Sequence, residues 1–193
     1  MSDHTIHVLG IAGSLRKGSY NKMLVRAAQE HAPDGMRVTE FDLAGVPFFD
    51  ADVEERGDPE AVVALKRAVR GADAILIATP EYQHAVPGVL KNALDWASRP
   101  PSDPPLGRKP VAIMGASTGL FGTARAQVGL RQILAYNDAQ VLQRPEVMVP
   151  NAKQAFDADG HLVDEAATRF LQQLLRNLMA WSRHARGWSP PEA

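Results

Sequence analysis

The sequence predicts a doubly wound α/β fold: a parallel five-stranded sheet of order 2-1-3-4-5 with helices on both faces, a three-layer α/β/α sandwich. Three observations lead there. Short apolar runs without polar alternation, Val8–Ala12, Ala74–Thr79 (AILIAT) and Pro110–Gly115 (PVAIMG), have the character of strands buried on both faces. Segments with apolar residues at helical spacing separate the strands, so that a β-α unit repeats five times. Three of the strands also run straight into polar loops. In the order 2-1-3-4-5 those loop ends are neighbours beyond the carboxyl ends of the strands, where such sheets bind ligands.

Taken in order, the first strand ends at Gly13 and a helix follows from Asn21 to His31, with Met23, Leu24, Ala27 and Ala28 on one side. Pro33-Asp34-Gly35 stops it. Met36–Leu43 alternates Val38, Phe41 and Leu43 with polar residues and reads as the second strand. Gly45–Gly57 reads as a loop around Pro47-Phe48-Phe49. Asp58-Pro59-Glu60 has the signature of a helix start, Asp58 capping and Pro59 first, with Val62, Val63, Leu65, Lys66 and Val69 inside and Gly71 closing. After the third strand, Pro87 opens a helix carrying Val89, Leu90, Ala93, Leu94 and Trp96. Arg99–Arg108 is a proline-rich surface connection. Thr123–Asn137 has helical spacing through Ala124, Val128, Ile133 and Leu134, and Gln140–Val149 holds a weaker fifth strand. Asp157-Ala158-Asp159-Gly160 reads as a turn, and Asp164–Arg183 as a helix striped by Ala167, Phe170, Leu171, Leu174, Leu175 and Leu178.

A chain of 193 residues suits one domain, 1–193, with residues 187–193 as a frayed tail. A net charge of −1 gives no general attraction to nucleic acid or to an anionic membrane. The absence of cysteine excludes disulfides, thiolate zinc sites and cysteine nucleophiles, and suits the cytoplasm. Met1-Ser2-Asp3-His4 has no basic start, so no signal peptide is expected, and no run reaches the length of a membrane span. The six histidines show no metal-ligand spacing, so no metal site is expected. Asp157-x-Asp159-Gly160 resembles the start of a calcium loop but lacks its downstream glutamate.

The first loop, Gly13-Ser14-Leu15-Arg16-Lys17-Gly18-Ser19-Tyr20-Asn21, gathers hydroxyls, an amide and two cations at a helix start. Ser14, Ser19 and Asn21 can donate to phosphate oxygens and Arg16 can add charge. The same residues could simply cap the helix. No Gly-Lys-Ser/Thr ends the loop and no Gly-x-Gly-x-x-Gly occurs, so a monophosphate fits better than a triphosphate or a dinucleotide. The third loop, Gly115-Ala116-Ser117-Thr118-Gly119, matches the Gly-x-Ser-x-Gly elbow of hydrolases, for which Asp159 and His184 would be the partners. Its other reading is backbone that approaches the polar edge of a flat ring. The second loop, Pro80-Glu81-Tyr82, brings a planar aromatic side chain or is a plain surface turn.

Together these blocks resemble the NADPH-dependent FMN reductases of flavodoxin-like fold, the group of bacterial quinone and chromate reductases. The match rests on 13–21, on Pro80-Glu-Tyr82 with Pro87-Gly-x-Leu-Lys-Asn-Ala-Leu-Asp-Trp96, and on Gly115-x-Ser-x-Gly119 with Gly122, Arg125 and Gln127. The resemblance implies that Ser14, Arg16, Ser19 and Asn21 hold the FMN phosphate. Pro80, Glu81, Tyr82 and Gln83 would flank the ribityl chain and the isoalloxazine, and Ser117 and Gly119 would meet the pyrimidine side. It implies an oxidoreductase using NADPH or NADH. Two electrons would pass by a ping-pong cycle to a quinone, a flavin, an azo dye or a metal oxyanion such as chromate, with no catalytic side chain. Phe48, Phe49, Tyr82 and Phe121 could wall the ring. Dimers or tetramers formed through the region of Arg125, Gln127 and Arg131 are implied too. Gln83, His84 and Ala85 depart from the family's Pro-Glu-Tyr-Asn pattern. The rival readings are a flavodoxin-type electron carrier, which a net charge of −1 disfavours, and a hydrolase built on Ser117.

Overall fold

The computed structural model describes residues 4–186, and the expected tail at 187–193 lies outside them. Strands β1 (Ile6–Ala12), β2 (Met36–Phe41), β3 (Ala74–Ala78), β4 (Pro110–Ala116), β5 (Gln140–Val141) and β6 (Val147–Val149) alternate with the helices. These are α1 (Tyr20–Glu30), α2 (Ala51–Arg56), α3 (Glu60–Gly71), α4 (Gly88–Ala97), α5 (Ala124–Tyr136), α6 (Ala152–Ala155) and α7 (Glu165–Ala185). The order is β2-β1-β3-β4-β5, all parallel, as the sequence predicts.

The fifth position of the sheet is filled in two pieces. β5 pairs with Pro110 and Val111 at the start of β4, and β6 with Met114, Gly115 and Ala116 at its end. Between them Pro145 has no N–H for a ladder, which is why one continuous strand does not form.

Alternation along the buried strands separates two apolar layers. Val8, Leu76, Ala112 and Met114 face α1 and α7, against Leu24, Leu171, Leu174, Leu175 and Leu178. Leu9, Ile11, Ile75, Ile77, Val111 and Ile113 face the other way, onto Val62, Leu65, Leu90, Leu94, Trp96, Leu130 and Leu134 of α3, α4 and α5. Both sheet faces are covered at the centre, so β3 and β4 carry no polar side, while the edge strand β2 keeps Arg37 and Glu40 exposed.

Several expected details change. Gly45–Gly57 is not all loop, because Asp50 accepts from the Asp52 N–H at 2.9 Å and starts the short helix α2. Asp58 does not cap α3: its Oδ2 lies 2.6 Å from Lys66 Nζ, and Pro59 takes the capping position. The closing residue is Ala72 rather than Gly71, and Lys109 Nζ donates to the Arg70 and Ala72 carbonyls there. Burial pushes the Lys109 ammonium down from its ordinary range. Val128 and Phe170 fit the helical stripes by spacing, yet they are 70% and 51% exposed. No helix among the described residues is long and apolar enough to cross a membrane.

Asp73, opposite the ligand end, ties the sheet to His4 before β1 and to Arg186 after α7. Its carboxylate accepts from the His7 N–H at 2.8 Å and meets His4 at 3.2 Å and Arg186 at 2.9 Å. Burial raises its pKa, but the His7 amide, His4 and Arg186 outweigh burial and hold it below the ordinary carboxylate value. A depressed carboxylate adds stability above its unfolded pKa, and that stability is lost as pH falls through the folded one. Asp73→Asn should therefore lose stability at neutral pH, and the difference from wild type should shrink below about pH 4. Thermal melts across pH 2.5 to 7, values taken as roughly bracketing the carboxylate range, check this.

Candidate active site

The loops after β1, β3 and β4 meet at the carboxyl edge of the sheet around a cleft of about 290 Å³. Ser14, Arg16, Ser19, Tyr20 and Asn21 form one side, Pro80, Glu81 and Tyr82 another, and Ala116, Ser117 and Thr118 a third.

The first side is a helix start equipped for an anion. Ser19 is the N-cap of α1 and its Oγ accepts from the Asn21 N–H at 3.2 Å. Ser14 Oγ accepts from the Arg16 N–H at 3.3 Å. Both serines are 4–5% exposed, and both oxygens are already acceptors. Neither hydroxyl hydrogen has an acceptor among the described residues, so each can be donated into the cleft. No acidic residue occupies the first turn of α1, which leaves its positive end uncompensated. Arg16 curls back over its own loop: its Nε donates to the Gly18 carbonyl at 3.0 Å and its guanidinium sits 5.7 Å from the Tyr20 ring. A group rich in acceptors and poor in donors is the complement, and a phosphate is such a group.

Asn21 has another duty. Its Nδ2 donates to the Ala116 carbonyl at 3.0 Å and its Oδ1 accepts from the Ala116 N–H at 2.9 Å. This two-bond staple fixes the first loop to the end of β4 and leaves one amide N–H over. Glu81 lines the cleft, but its carboxylate accepts from the Arg125 and Ala126 N–H groups at 2.9 and 3.0 Å. Gln83 and Gly119 lie outside the lining. Of the aromatics, Phe49 packs edge-on to Trp96 at 4.9 Å and lies under Arg99, away from the cleft wall. Phe48 is exposed on a loop that α4 pins, since Asn92 and Trp96 both donate to the Pro47 carbonyl and Asn92 accepts from the Phe49 N–H.

The unusual residues after Tyr82 form a two-residue hairpin. Tyr82 and Ala85 exchange backbone bonds of 3.2 and 2.9 Å, with Gln83 at φ 52° and His84 at φ 61°. Both central residues are left-handed, the turn that Asn-Gly makes without strain. His84→Gly should therefore stabilise the protein by about 1 kcal/mol by relieving left-handed strain. Chemical denaturation reads the gain, and a loss would contradict the assignment.

The hydrolase reading fails here. The residues after Ser117 form turns, and helix begins only at Ala124. Ser117 Oγ accepts from the Gly119 N–H at 3.2 Å, and no histidine lines the cleft. Gly115 has a packing reason instead: a Cβ there would stand 2.0 Å from Thr123 Oγ1 and 2.4 Å from the Thr79 carbonyl. Elsewhere, the turn at 157–160 brings Asp157 and Asp159, the pair at calcium-loop spacing, together with His161 on the surface. The His161 N–H bonds the Asp157 carboxylate, and this bond leads in holding it below its ordinary pKa.

A doubly wound sheet with a donor cradle at the first strand-to-helix turn defines the flavodoxin-like class. The protein FerB of Paracoccus denitrificans, a flavoenzyme NAD(P)H:(acceptor) oxidoreductase, superposes with a TM-score of 0.85 at 33% identity, over 93% of this chain and 98% of its own. Residues 6–154 match the NADPH-dependent FMN reductase family, and the chain belongs to it. It is 51% identical over 187 residues to an NAD(P)H-dependent FMN reductase of Pseudomonas aeruginosa, covering 97% of this chain and 100% of that one. It is 45% identical over 163 residues to a quinone reductase of Escherichia coli, covering 83% and 86%.

Proposed function

We propose that the chain is an FMN-dependent NAD(P)H oxidoreductase that delivers two electrons to a small quinone. The observation that carries this reading is the pair of buried serine hydroxyls, free to donate, at the uncompensated positive end of α1. A phosphate monoester fits this donor set. Ser14, Ser19 and Arg16 hold the FMN phosphate, and Pro80, Tyr82, Ser117 and Thr118 border the rest of the cofactor. When bound, FMN supplies hydride and two-electron chemistry that no side chain of the cleft could perform. The chain's own part is positional. The Asn21 staple keeps the phosphate end at a fixed distance from the Ser117 wall. Relatives that carry the names FMN reductase and quinone reductase support the acceptor class and the use of NADPH or NADH.

A homo-oligomer belongs to the same reading. Phe121, just before α5, and Arg125, Val128, Gln132 and Tyr136 along it form one exposed stripe, suited to a second copy. Gln127 is buried against Thr123 and Val147, and Arg131 donates to the Leu142 carbonyl. A solution mass above 20.9 kDa checks the assembly.

The activity test is NAD(P)H oxidation by the purified protein with FMN and a benzoquinone. Turnover with parallel double-reciprocal lines is expected. A flavin-loaded protein that oxidises no NAD(P)H would instead be an electron carrier.

A further inference from the structure

Helix α5 begins without a cap of its own. Thr123 stands at the capping position, but its side chain makes no cap bond, and its Oγ1 accepts from Gln127 Nε2 at 3.0 Å. The first N–H groups of α5 can nevertheless be accounted for one by one. Ala124 donates to the Phe121 carbonyl at 3.1 Å, and Gln127 makes the first intrahelical bond, to Thr123, at 2.9 Å. Arg125 and Ala126, the two between, donate to one carboxylate oxygen of Glu81, a residue 44 and 45 positions earlier. The Arg125 guanidinium meets the other oxygen at 3.5 Å, and the Glu81 side chain is 8% exposed. The cap of α5 is thus supplied by the loop after β3.

We infer that Glu81 is a positioning residue of the flavin cleft: its carboxylate, turned to α5 and not to the cofactor, fixes the Pro80–Tyr82 wall against the start of that helix. The inference rests on the FMN reading above. Two consequences follow from the geometry. Loops that belong to neighbouring strands are joined side chain to backbone, so the two walls flanking a planar guest keep one spacing. The carboxylate also fills the positive end of α5, whereas the first turn of α1 carries no acidic residue and keeps its positive end open to an anion. Glutamate suits the task because both N–H groups need an acceptor, and because negative charge favours a helix N-terminus.

The test titrates wild type, Glu81→Ala and Glu81→Gln, all stripped of flavin, with FMN and separately with riboflavin, by flavin fluorescence. Amide exchange at Arg125 and Ala126 is followed in parallel. Glu81→Ala should speed exchange at both amides and weaken FMN and riboflavin alike, each about tenfold, because the walls and not the phosphate cradle are disturbed. Glu81→Gln keeps an acceptor and should recover to within about threefold of wild type. Faster exchange with unchanged affinity for both flavins would overturn the inference, as would unchanged exchange. A loss confined to FMN would overturn it too, since it would place Glu81 at the phosphate. A wild-type protein that binds neither flavin would refute the FMN reading itself. Should the alanine variant fail to fold, Glu81→Asp, one methylene short of the amides, is read by the same outcomes.

Discussion

Gly115→Ala is expected to lower the thermal midpoint by roughly 6–12 °C, the shift that about 3 kcal/mol produces in a domain of this size. The reason is local and severe. The new methyl would lie 2.0 Å from Thr123 Oγ1 and 2.4 Å from the Thr79 carbonyl, and one of these is main chain that cannot rotate away. Thr123 is fully buried and holds Gln127, so its displacement also disturbs the start of α5. Thr123→Ala in the same chain should restore only part of the loss, because the Thr79 carbonyl remains. A Gly115→Ala protein that melts within about 1 °C of wild type would show that β3, β4 and α5 do not approach as described.

Ser14→Ala is expected to weaken FMN about 10- to 100-fold, since a hydrogen bond to a charged group is worth about 1.5–3 kcal/mol. Ser14 is the cleaner choice over Ser19, whose oxygen also caps α1 and whose loss would unsettle the helix. Ser14 Oγ accepts only the Arg16 N–H of its own loop, so the fold should tolerate the change. Affinity is read by fluorescence titration and stability by a parallel melt. Unchanged FMN affinity in a folded Ser14→Ala protein would remove Ser14 from the phosphate site. The variant differs in kind from Glu81→Ala, because its effect should be confined to flavins that carry a phosphate.

The fold could be read from the sequence because its evidence is one-dimensional. AILIAT and PVAIMG have no wet face, and Leu171, Leu174, Leu175 and Leu178 mark a single helical side. The same patterns misled where an apolar residue sits beside a stripe that ends early, as with Val128 and Phe170. The fifth strand reads as one over Gln140–Val149 because apolar residues lie on both sides of Pro145, and the pattern does not show that the ladder divides there. Within the site, the meeting of the three loops was legible from strand order. The separate duties of its side chains were not. Asn21 and Glu81 both look like ligand contacts in the sequence, yet each is engaged by backbone groups far along the chain, at Ala116 and at Arg125 and Ala126. No spacing rule reaches across 95 or 44 residues to show such partners. The left-handed Gln83 and His84 were hidden for a different reason: neither is a residue that announces a tight turn.

The central claim is that the cleft recognises a flavin through its phosphate at the start of α1. Titration of the flavin-free wild-type protein with FMN and with riboflavin, followed by the visible flavin bands, tests it most directly. The two ligands share the ring and the ribityl chain and differ only at the group that Ser14, Arg16 and Ser19 are built to hold. FMN should bind at least about a hundredfold more tightly than riboflavin, as two or more charge-assisted bonds require. Equal affinities, or no perturbation of either spectrum, would contradict the account.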